Sequence, residues 1–144
     1  MNVDTIYNDI LKKVEKKIGS NKTTYSTDLD KLGKYYFKSM FVGCFPSDKI
    51  PVLTKERCYA IVNLDRSDQN GSHWIALAYK NNKYIFYDSF GRPQHEILSS
   101  LNNRTVIETE DDAEQKVVES NCGRRSISWL LLLHMHGLDM ALKL

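Results

Sequence analysis

The sequence predicts an α+β domain. Three features carry that prediction. An amphipathic stretch opens the chain, short apolar runs between polar turns fill the middle, and a strongly apolar stretch begins at Asn121-Cys122-Gly123. Helix, then hairpin-rich sheet, then helix is an α+β order. At 144 residues the chain is read as one domain, large enough to bury a core. Residues 1–26 form an N-terminal helix and connector, and 27–144 form the core of the domain.

Asp4 to Ile18 reads as an amphipathic helix. Ile6, Ile10, Val14 and Ile18 recur every four residues, and Tyr7 and Leu11 widen the stripe. Gly19 is its stop signal. Ser20 to Ser26 is a polar connector. A second helix starts after Ser26 or Thr27 and carries Leu29, Leu32, Tyr36 and Phe37. Phe41 to Pro51, with two prolines, reads as a loop. Arg57 to Leu64 is a strand, Asp65 to Ser72 a turn-rich loop, and His73 to Tyr79 a second strand. Asn81-Asn82 turns the chain into a third strand, Lys83 to Asp88, which ends at Phe90-Gly91-Arg92-Pro93. A helix is expected over Pro93 to Leu101 and a short strand near Thr105 to Glu108. Asp111 to Asn121 is a polar loop before the last helix.

Composition narrows the function classes. The formal charge is only +2, which gives no strong case for nucleic acid or a membrane surface. No apolar stretch is long enough to span a bilayer, and the polar N-terminus lacks a signal-peptide core. The three cysteines, Cys44, Cys58 and Cys122, form no CxxC pair. That opposes a disulfide framework and a structural zinc site, and a reducing compartment is the simplest reading.

Chemistry concentrates at Cys122. At the start of a buried helix, unpaired N–H groups and the positive end of the dipole favour thiolate over thiol. Gly123 allows backbone and substrate to approach closely. His73 starts one strand and Asp88 ends the next strand of the same hairpin. In an antiparallel pair those two ends are neighbours. The imidazole of His73 would take the thiol proton, and Asp88 would fix the tautomer and stabilise the imidazolium.

His73-Trp74, Tyr84 to Gly91 and Gln115 to Gly123 resemble the adenain-type cysteine proteases. These viral maturation enzymes are related to the proteases of SUMO and other ubiquitin-like proteins. Phe41-Val42-Gly43, Ser47-Asp48-Lys49 and Tyr59-Ala60-Ile61-Val62-Asn63 extend the resemblance upstream, so that it covers roughly residues 35–136. The ordered set HW, DSFG, Gln and NCG is its specific part. The overall shape is similar to the short proteases of large DNA viruses and virophages.

The resemblance implies a papain-like fold, with a central mostly antiparallel sheet flanked by helices and the nucleophile at the N-terminus of a buried helix. It implies Cys122 as nucleophile, His73 as general base and Asp88 as the acidic third member. Gln115 becomes the side-chain donor of the oxyanion hole, seven positions before the cysteine as in adenain. A neutral, fixed amide suits that task. Substrate contacts are implied for Trp74, Asp48 and Gly123. Trp74 would wall a channel that admits only glycine, and it also reads as an ordinary core tryptophan. Asp48 would contact the substrate backbone, and it equally reads as a loop cap after Pro46-Ser47.

Arg124 and Arg125 depart from the family pattern. They oppose the dipole of the nucleophile helix, yet their charge would favour a thiolate. His134 and His136 are two apart on a helix and cannot jointly grip a metal. Cys44 and Cys58 read as small buried hydrophobes.

The function so implied is a cysteine endopeptidase cleaving at Gly-Gly or Gly-X motifs, with viral capsid and structural precursor proteins as substrates. It would act in the virion and in the cytoplasm of the infected cell. No metal or other cofactor is required by such a mechanism. Adenain uses a peptide and DNA as activators, but neither the peptide's attachment cysteine nor a basic face for DNA is evident here. Alternatives are a deubiquitinase- or deSUMOylase-type isopeptidase, a catalytically impaired binding module of the same fold, and an acetyl transferase.

Overall fold

The computed structural model describes residues 2–18, 26–51, 53, 56–63, 73–81, 83–88, 105–108 and 122–144. Helix α1 (Val3–Ile18) starts at Asn2, whose Oδ1 accepts the Asp4 N–H at 2.6 Å. That satisfies one of the donors a helix start leaves open. The expected stripe is buried at Tyr7, Ile10, Leu11 and Val14. Helix α2 (Ser26–Phe37) buries Leu29, Leu32, Gly33 and Phe37, and a 3₁₀ turn (Lys38–Met40) follows.

Five strands form one sheet in chain order: β1 (Phe41–Pro46), β2 (Arg57–Asn63), β3 (Trp74–Lys80), β4 (Lys83–Tyr87) and β5 (Thr105–Glu108). The molecule is therefore α+β, as the sequence predicts. The sheet is mixed rather than mostly antiparallel. β2–β3 and β3–β4 run antiparallel, whereas β1–β2 and β4–β5 run parallel.

Strand β1 corrects the expectation of a loop from Phe41 to Pro51. A bulge between Phe41 and Gly43 hides its alternation. Gly43 has φ +141, a conformation side chains disfavour, and Val42 is left exposed. Pro46 is tolerated because it closes an edge strand. The expected helix over Pro93 to Leu101, the connector before Ser26 and the loops at Asp65 to Ser72 and Asp111 to Asn121 lie outside the described residues.

Helix α3 (Cys122–His136) is apolar nearly all round and buries Ile127 and Trp129 through Leu133. Such a helix needs partners on every side. It packs between α1, α2, the sheet and a short α4 (Leu138–Leu142). Gly137 ends it at φ +88, with its N–H returned to the Leu133 carbonyl at 2.9 Å.

Among the described residues all four helices cover one face of the sheet. That face presents Tyr59, Ile61, Ala76, Ala78, Ile85 and Tyr87. The opposite face, led by Phe45, Val62, Ile75, Leu77 and Phe86, packs against Leu53 and Ile50 from non-helical segments. Within these residues the expected flanking helices lie on one side of the sheet.

The register places the site. Pro46 pairs with Asn63, and Asn63 pairs with Trp74. The ends of β1 and β2 and the start of β3 therefore form one row across the sheet. The N-terminus of α3 meets the sheet at that row, through a contact between Cys122 and Trp74.

Candidate active site

Cys122 is the first residue of α3 and is 7% exposed. Its Sγ accepts the backbone N–H of Trp74 at 3.5 Å. The Gly123 N–H also supports the sulfur, as expected where helix donors lack internal partners.

His73 immediately precedes β3 and Asp88 immediately follows β4. Ala76 pairs with Tyr87, so one step further Ile75 faces Asp88, and His73 lies on the diagonal. The ring Nε2–H donates to Asp88 Oδ1 at 2.6 Å. Both residues are buried, at 4% and 5% exposure. With Nε2 engaged by the carboxylate, Nδ1 is the other ring nitrogen and carries the lone pair of the neutral tautomer. The tautomer follows from this hydrogen-bond pattern.

The electrostatics run in opposite directions on the two partners. Burial drives the His73 pKa down, but Asp88, through its hydrogen bond and charge, together with nearby Cys122 outweighs it, so the net shift is upward. Burial drives the Cys122 pKa up, but the neighbouring His73, the Trp74 N–H and the Gly123 N–H bring it below the ordinary thiol value. Arg124 and Arg125 are not among these main causes. Arg124 is buried at 4% exposure, and the Arg125 carbonyl accepts the Tyr7 hydroxyl at 3.4 Å, which ties α1 to the first turn of α3.

Cys44 gives the contrast. It lies half-buried in β1, not fully buried as its composition class implied, and its Sγ–H donates to the Ser26 carbonyl at 3.7 Å. Burial and the Asp30 charge, only partly offset by Lys34, push its pKa up to about 12. Cys58 is completely buried. The lowered thiol pKa of Cys122 thus contrasts with the raised one of Cys44.

The remaining expected residues divide. The Trp74 side chain is half-buried and packs against the helix-side core. Gly123 is buried in the first turn of α3. Asp48 is exposed in the turn after β1, two strands from Trp74 at the same end of the sheet. Gln115 lies outside the described residues. His134 stands at the far end of α3, with Nδ1 3.0 Å from the Tyr59 hydroxyl. Among the described residues no group of three or more His, Cys, Asp or Glu gathers as metal ligands, and no helix is long and apolar enough to cross a membrane.

Two polar residues at this end of the sheet escaped the sequence reading. Asn63 is buried at the end of β2, directly opposite Trp74. Ser126, completely buried, donates its Oγ–H to the Trp74 carbonyl at 3.1 Å. A serine just before the apolar run of α3 was the visible signal for the latter. No family model matches the chain, and no curated protein matches it.

Proposed function

We propose that this chain is a cysteine endopeptidase of papain-like architecture. The observation that carries the proposal is the buried arrangement Asp88–His73–Cys122, in which a carboxylate orients an imidazole and the helix-terminal thiol has a lowered pKa. A structural cysteine needs none of these parts.

The chemistry follows from the positions. The Cys122 thiolate attacks the substrate carbonyl and forms a C–S bond, and the carbonyl oxygen becomes an oxyanion. The Cys122 backbone N–H and the Gln115 amide are the proposed donors to that oxyanion. The proton taken up by His73 then passes to the leaving amine as the C–N bond breaks. Water, deprotonated by His73, hydrolyses the thioester and regenerates the thiol. Asp88 remains ionised and holds the ring throughout.

Trp74, Gly123 and Asp48 are the proposed substrate contacts, and glycine-rich cleavage sites in viral structural precursors are the proposed substrates. The proposed setting is the virion and the infected-cell cytoplasm. Mass spectrometry of products from a mixed peptide library tests the reading. Cleavage at Gly-Gly or Gly-X sites, absent in Cys122→Ala, is expected. Release of ubiquitin-like tails alone would identify an isopeptidase, and no thiol-dependent product would leave a binding module.

A further inference from the structure

We propose that Ser126 is a positioning residue for the thiol–imidazole pair, a role that deepens the proposed function and rests on it. Cys122 and Ser126 are four apart on α3 and so lie on one helix face, about 6 Å apart along the axis. Both grip the same residue of β3. The Trp74 N–H donates to Cys122 Sγ at 3.5 Å, and the Trp74 carbonyl accepts from Ser126 Oγ at 3.1 Å. One turn of the nucleophile helix thus holds Trp74 by both of its backbone polar groups. His73 is the next residue along the chain, so this clamp fixes the strand that carries the base relative to the helix that carries the nucleophile.

Ser128 shows that the arrangement is specific. It is equally buried on the same helix, yet its Oγ donates to the Arg124 carbonyl at 2.7 Å, the local acceptor four residues back. That is the default for a helical serine. Ser126 instead reaches an acceptor 52 residues away in sequence. Alanine would be the better helix former at a fully buried helical position. A hydroxyl there is accounted for by its cross-element bond, since a buried hydroxyl is unfavourable without one.

Loss of the Ser126 hydroxyl releases the Trp74 carbonyl while sparing every group that touches the sulfur. The strand start then relaxes away from α3. The N–H···S bond weakens and the imidazole moves away from the sulfur, and the thiol pKa rises toward its ordinary value.

The test is the pH dependence of Cys122 alkylation by iodoacetamide, read by peptide mass spectrometry on the full chain, with thermal melts in parallel. Wild type should inflect below the ordinary thiol range, and His73→Ala should abolish that inflection. Ser126→Ala should move it upward and slow alkylation below neutral pH by about tenfold, the equivalent of one pKa unit. Ser126→Thr, which keeps the hydroxyl, should restore the profile, and Ser128→Ala should follow wild type. Should Ser126→Ala fail to fold, Ser126→Cys supplies a weaker donor and should shift the profile in the same direction. An unchanged profile in Ser126→Ala, or in Ser126→Cys where that variant stands in, overturns the proposal, as does an equal shift in Ser128→Ala. Either result leaves the protease reading intact. An ordinary wild-type profile, indifferent to His73→Ala, overturns both.

Discussion

His73 and Asp88 meet through a 2.6 Å hydrogen bond between Nε2 and Oδ1, buried at adjacent ends of two antiparallel strands. The bond commits Nε2 as donor, which leaves Nδ1 with the lone pair of the neutral ring. Asp88→Asn keeps the shape but removes the charge that favours imidazolium. The His73 pKa should fall, the Cys122 pKa should rise, and alkylation of Cys122 near neutral pH should slow by about tenfold or more. Equal rates in wild type and Asp88→Asn would mean that the carboxylate does not tune the pair.

The pH window follows from the two shifts. Thiolate forms as pH rises through the Cys122 pKa, which lies below the ordinary thiol value of 9.0. Imidazolium is lost as pH rises through the His73 pKa, which lies above 6.5. The working state, thiolate beside imidazolium, should therefore persist beyond the pH at which a free histidine is neutral. Peptide cleavage measured across pH should give a bell whose falling limb lies above 6.5. A fall already complete below that value would contradict the raised imidazole.

Thiol reactivity should rank the cysteines. Cys122 should alkylate first, and Cys44, pushed up to about 12, should lag far behind it. Cys122→Ala should abolish hydrolysis while leaving the melting temperature close to wild type, because only the sulfur is removed. Cys44→Ala and Cys58→Ala should keep activity. Peptide mapping after brief labelling checks the order, and a reporter peptide checks the loss.

Much of this site was legible in the sequence because its parts sit at element boundaries. His73 and Asp88 flank strands whose apolar runs are unmistakable, and Cys122 opens the most apolar helix. Strand pairing then converts sequence order into proximity. Strand β1 was not legible, since a bulge at Gly43 and a terminal proline break the period that identifies strands. The parallel pairings of β1 and β5 are equally invisible locally, because they depend on where the connections run. Ser126 escaped for a related reason. Its partner is a backbone carbonyl, and every residue has one, so no side-chain pattern reports the bond.

Gln115→Ala should lower kcat by roughly 10² to 10³, the usual loss for one oxyanion donor. Peptide affinity should barely change, since the donor acts on charge that appears only in the transition state. Steady-state kinetics on one glycine-containing peptide separate the two parameters. A change confined to KM would assign Gln115 to substrate binding instead.

Trp74 bears on specificity. Its backbone is held by α3 at two points, while its indole is only half-buried against the helix-side core. Side-chain replacement therefore leaves the backbone clamp in place and alters only the wall. A channel bounded by this ring should reject a Cβ immediately before the scissile bond. Replacing that glycine of the substrate by alanine should cost at least about 1–3 kcal/mol in kcat/KM, the scale of overpacking a fitted site. Trp74→Ala should narrow the gap between paired Gly and Ala peptides. It should also lower stability, by less than the roughly 3–5 kcal/mol typical of removing a buried aromatic, because the indole is only partly enclosed. Equal kcat/KM for Gly and Ala peptides in the wild type would remove the channel, and with it the inferred glycine-rich substrate class.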